Sequence, residues 1–96
     1  MSYKASNLVS ACVTGDFREV CRIIDEEIED PGANDNEVIC VAVKGGFREI
    51  VFRLLADTRV KPISRAINEA RSRGEFDILQ ALHNRKRDDI KKGIFY

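Results

Sequence analysis

The chain has 96 residues, with 44% hydrophobic and 33% charged side chains and a formal net charge of zero. That size and balance predict a single globular domain and argue against a disordered chain. Zero net charge argues against a general nucleic-acid binder. No apolar run approaches a membrane span, and residues 1–7 show no secretory pattern.

The charge is unevenly spread. Residues 1–34 carry net −4, residues 35–63 net +1 and residues 64–96 net +3. Such an acidic front and basic rear either steer a partner or are ordinary solvated helix faces. The three cysteines, Cys12, Cys21 and Cys40, are odd in number and lack Cys-x-x-Cys spacing. Reduced thiols and a cytoplasmic setting are the expectation.

In chain order, Leu8, Ala11 and Cys12 make the first apolar stripe at helical spacing. Ser6 occupies the slot of a capping residue before it. Gly15 then ends the helix, and Phe17, Val20, Cys21 and Ile24 make a second stripe. The acidic run Asp25, Glu26, Glu27, Glu29 and Asp30 follows, leading into Pro31-Gly32. Carboxylates at a helix C-terminus oppose its dipole. A basic partner, a cation and a solvated helix end are all compatible with that run.

The second pass repeats the first. Asn36 takes the capping slot, and Val38, Val41 and Ala42 precede Gly45. Gly45-Gly46-Phe47-Arg48-Glu49-Ile50 repeats Gly15-Asp16-Phe17-Arg18-Glu19-Val20, and Leu54-Leu55 closes the unit before Pro62. Gly45-Gly46 lacks the strand and fingerprint of a phosphate loop. A third pass gives Ser64 as the cap, Ile67, Ala70 and Arg71, then Gly74-Glu75-Phe76-Asp77-Ile78-Leu79. Aligned without gaps, Gly15, Gly45 and Gly74 correspond. So do Phe17, Phe47 and Phe76, which should then have equivalent surroundings.

His83 is the sole histidine. A metal site and a Ser/His/Asp triad are therefore not expected, and neither is enzymatic activity or a cofactor. Cys12 and Cys40 read as buried structural thiols, and Cys21 as the more exposed one. The tail carries Arg85, Lys86, Arg87, Lys91 and Lys92 and ends Ile94-Phe95-Tyr96. It either contacts nucleic acid or an acidic protein, or folds back so that Ile94 and Phe95 cover the last unit.

These units resemble ankyrin repeats. Gly45 to Leu55 is similar to the second half of that unit, and Gly15 to Ile24 nearly so. The resemblance spans roughly residues 6–84. It lacks the Thr-Pro-Leu-His opening, its period falls short of about 33 residues, and Arg71 replaces a small residue. Arg71 suits a terminal unit with no neighbour beyond it. The expected fold is all-α: an α-solenoid of three stacked helix-turn-helix, ankyrin-like repeats with reduced β-hairpin loops. The repeats span approximately 6–34, 35–63 and 64–84, with a tail at 85–96.

The resemblance implies a protein–protein interaction module, an adaptor or inhibitor that occupies a partner protein. It also points to chains of large viruses or intracellular pathogens that engage a host factor in the host cytoplasm. The contact positions it implies are Val13, Thr14, Val43, Lys44, Ser72 and Arg73, with Val13 and Val43 forming a small exposed apolar patch. Nucleic-acid binding through the basic tail is the alternative, and head-to-tail self-association a third reading.

Overall fold

A computed structural model describes residues 7–95. Ser6, the first capping residue expected above, lies outside that range. The described residues form six helices and no strand: α1 (Asn7–Thr14), α2 (Phe17–Asp25), α3 (Ala33–Gly45), α4 (Arg48–Leu55), α5 (Ser64–Arg73) and α6 (Phe76–Lys91).

The helices pair as hairpins α1–α2, α3–α4 and α5–α6. The first helices pack in a row, α1 on α3 and α3 on α5, and the second helices likewise, α2 on α4 and α4 on α6. Each helix has one apolar side. Leu8, Ile39 and Ile67 of the first helices meet Val20, Ile23, Val51, Leu54 and Leu82 of the second in a single core. Pro31 and Pro62 are fully buried in the two long connectors. There their fixed φ and missing N–H cost no helical hydrogen bond.

The tight turns set the true correspondence between hairpins. Gly15, Gly46 and Gly74 have φ of 76°, 70° and 70°, the left-handed conformation that glycine adopts without Cβ strain. The next residue then donates its N–H back to an alanine five positions earlier. These bonds run from Asp16 to Ala11 (2.8 Å), Phe47 to Ala42 (3.2 Å) and Glu75 to Ala70 (3.0 Å). The equivalent of Gly15 is therefore Gly46, not Gly45, and the gapless alignment is one residue out in the second hairpin.

The slip changes the environment of the phenylalanines. Phe47 takes the position of Asp16 and Glu75 and is half-buried against the core. Phe17 and Phe76, which do correspond, are 41% and 73% exposed. Equivalent surroundings for all three phenylalanines are not found.

Two further expectations are corrected. Asn36 does not cap its own helix. It lies in a left-handed run with Asn34 and Asp35, at φ of 54°, 56° and 61°. Its Oδ1 accepts the Lys61 N–H at 2.8 Å, tying the two long connectors together. Short polar side chains tolerate that conformation best. The tail is not a separate segment after residue 84, because α6 continues to Lys91. Gly93 (φ 81°) then reverses the chain and lets the Ile94 N–H reach the Asp89 carbonyl at 2.8 Å. Ile94 is half-buried, but Phe95 is 76% exposed and covers nothing.

Arg71 is exposed at a position where Cys12 and Val43 are fully buried. The third hairpin has no further hairpin against it, so the charge stays in water and no desolvation cost arises.

Candidate partner-binding site

The positions just before each glycine turn lie at the C-terminal ends of α1, α3 and α5. Val13 is 61% exposed and Thr14 is exposed. The Thr14 hydroxyl donates to the Ser10 carbonyl at 3.1 Å. Lys44, Ser72 and Arg73 are also exposed. Arg73 Nε donates to Glu69 Oε2 at 2.9 Å, one turn back on α5.

Val43 is the exception. It is fully buried and belongs to the core. The one-residue slip explains this, since Val43 corresponds to Cys12 and Lys44 to Val13. The exposed row is therefore Val13, Lys44 and Ser72, followed by Thr14, Gly45 and Arg73. The two-valine apolar patch does not form.

Between α3 and α5 lies a cleft of about 500 Å³. Glu37, Cys40, Val41 and Lys44 line it from α3, Arg65 and Glu69 from α5, and Asn34 and Asp35 from the left-handed turn. Their spacing on α3 (i, i+3, i+4, i+7) puts four side chains on one helix face. Of these, Lys44 alone is recovered by the glycine-adjacent positions. The second row of spacings was visible in the sequence, but Cys40 and Val41 read there as core. Cys40 is indeed buried and Val41 half-buried, so the less exposed part of the cleft is apolar and its surround charged. Arg65 Nη2 donates to the Asp35 carbonyl at 3.5 Å, and Cys40, Asp35 and Glu37 lie around the guanidinium. Those contacts, Cys40 first, raise its pKa above the usual arginine value.

The basic tail is built differently from expectation. Arg85 donates Nη1 to the Leu55 and Asp57 carbonyls and Nη2 to the Thr58 and Val60 carbonyls. Its Nε donates to Asp89 Oδ1 at 3.2 Å, and Asp89 is itself buried. Arg85 thus closes the end of α4 and the connector to α5, leaving no free donor set for a phosphate. Lys86 is half-buried, and Arg87, Lys91 and Lys92 are exposed.

Cys12, Cys21 and Cys40 are free thiols. Burial pushes the Cys12 thiol up to about 12. Among the described residues no three His, Cys, Asp or Glu side chains gather as metal ligands. No described helix is long and apolar enough to cross a membrane. No family model, curated protein or solved structure matches the chain.

Proposed function

We infer that the chain is a protein-interaction module of three ankyrin-like repeats, acting by occupying a partner on the α1–α3–α5 side. One observation carries this reading. Three hairpins with equivalent glycine turns hold an uninterrupted row of exposed side chains, Val13, Lys44 and Ser72, beside the cleft between α3 and α5. Each hairpin alone leaves its apolar side open, so the scaffold needs its neighbours to fold. The side chains ahead of the glycines are spared from that task and are free to contact a guest. A competitive inhibitor or adaptor in a host cytoplasm fits such a chain. The nucleic-acid alternative loses its strongest cation, because all the Arg85 donors described above are spent within the chain.

The test is affinity capture from the cell of origin, with the chain as it stands and with Val13→Asp combined with Lys44→Glu. Both positions are exposed, but each new carboxylate lies in the last turn of its helix and opposes the dipole by about 0.3–1 kcal/mol, so circular dichroism checks that the variant is folded before capture is compared. A specific protein should be captured by the unchanged chain and retained at least about tenfold less by the variant, since few interface residues carry most of the energy. Capture that is indifferent to both substitutions would remove this face from consideration.

A further inference from the structure

We propose that copies of this chain dock head to tail, the acidic end of α2 in one copy seating on the basic, partly apolar outer side of α6 in the next. The proposal is independent of the partner-binding reading, since it uses the C-terminal end of α2 and the outer side of α6 and none of the exposed row Val13, Lys44 and Ser72.

Among the described residues α6 packs inward on α4 and α5, and no helix packs closely on its outer side. Phe76 at its start is 73% exposed and Ile90 near its end 48%. His83, Lys86, Arg87, Ile90 and Lys91 line a cavity of about 300 Å³ there. Among the described residues, Lys86, Arg87 and Lys91 enter no ion pair. This is an isoleucine set among uncompensated cations.

The C-terminal end of α2, which faces the second hairpin through the Asp25–Arg53 pair, presents the opposite. After α2 come Glu26, Glu27, Ile28 and Asp30, with Ile28 46% exposed. Glu26 is held only loosely, at 3.5 Å from Arg22. This is an isoleucine set among carboxylates, with Arg59 of the next connector near Glu27 and Asp30. The two surfaces match in charge and in apolar content, and they belong to one neutral chain split into −4 and +3 thirds. The chain already joins its own hairpins this way: Asp25 at the end of α2 pairs with Arg53 of α4, and Arg48 of α4 with Asp77 of α6. A contact between unlike ends leaves one of each kind free, so the assembly grows with concentration. Each added copy repeats the exposed row and raises avidity for a multivalent guest.

Light scattering on the full chain tests this. The weight-average mass should at least double between about 10 and 500 µM at about 20 mM salt, and fall back to the monomer at about 0.5 M, where exposed charges are screened. Glu26→Lys with Glu27→Lys, or Arg87→Glu with Lys91→Glu, should each give monomer. Mixing the two variants should restore growth with the two alternating, because intact end meets intact end and reversed end meets reversed end. Combining all four changes in one chain should restore growth. Circular dichroism monitors folding, and glutamine at the same four positions replaces any reversal that unfolds the chain, with growth then weakened at least about fivefold. A monomer under every condition overturns the proposal. So does growth that survives either reversal, or growth that needs an added short DNA duplex.

Discussion

The joint between the first and second hairpins and the joint between the second and third share a backbone plan but differ in chemistry. At the first joint the Phe47 ring lies over Gly15, so close that a Cβ there would sit 2.6 Å from the ring. At the second, the same position is Glu75, and its carboxylate lies over Gly46. There Arg85 also gathers four carbonyls of the preceding connector and pairs with buried Asp89. Both joints share the apolar core; the first adds ring packing and the Asp25–Arg53 pair, the second adds the Arg85 contacts to main-chain carbonyls. Among the described residues only the second hairpin is flanked on both sides, and the first hairpin meets it with a ring over a glycine. The last hairpin is half open to water, and a guanidinium fixes it where an apolar contact would be too small.

The largest effect should come from Arg85. Arg85→Met keeps the stem but removes every donor, including the one that pairs with buried Asp89. Breaking such a pair costs about 3–5 kcal/mol. That is a large share of a domain's total stability. Chemical denaturation should show this loss, and a loss below about 1 kcal/mol would mean that the second joint is held by the core alone.

A glycine series separates ring packing from backbone strain. Gly15, Gly46 and Gly74 all have positive φ, so alanine strains each by about 1 kcal/mol. Gly74 has nothing within 4 Å of a built Cβ, Gly46 meets the end of the Glu75 side chain, and Gly15 meets the ring. Gly74→Ala should therefore cost about 1 kcal/mol, Gly46→Ala slightly more, and Gly15→Ala about 2–4 kcal/mol once overpacking is added. Equal costs at Gly15 and Gly74 would remove the ring from the first joint.

A gain is expected nearby. Glu27 ends α2 with φ 53°, and its N–H and that of Ile28 bond back to Ile24 and Ile23. At the end of α6 the same reversal is made by Gly93. Glu27→Gly should stabilise the chain by about 0.5 kcal/mol, the left-handed strain relieved less the added flexibility of the unfolded glycine. A decrease in the unfolding midpoint would show that the Glu27 side chain itself stabilises that end.

Much of this was legible in the sequence. The apolar stripes around Leu8, Val20, Ile67 and Leu79 announce helices, and Gly15 and Gly74 announce the turns between them. The second hairpin misled because Phe17-Arg18-Glu19 and Phe47-Arg48-Glu49 are identical strings. Aligning the strings put Gly45 on Gly15, whereas the backbone puts the left-handed residue two positions before the first residue of the next helix, and that is Gly46. Val43 moved into the core by the same step. The role of Arg85 was illegible for another reason: its acceptors are main-chain carbonyls about 30 residues away, which no side-chain pattern marks.

The smallest effect at neutral pH concerns Cys12, whose counterpart in the third hairpin is exposed Arg71. The thiol is neutral when protonated, and burial lifts its pKa from 9.0 to about 12. Below pH 9 the folded and unfolded chains both keep the proton, and its contribution to stability is fully present. Above pH 9 the unfolded chain ionises first, and stability is lost progressively until the folded thiol titrates near pH 12. Cys12→Ala removes this component, while the groups common to both proteins cancel in the difference. The stability gap between the unchanged chain and the variant should thus be constant from pH 6 to 8 and narrow between pH 9 and 11, inside the window set by the shift. A gap that stays constant throughout would mean that water reaches the thiol in the folded chain, and that the first hairpin is as open at this position as the third.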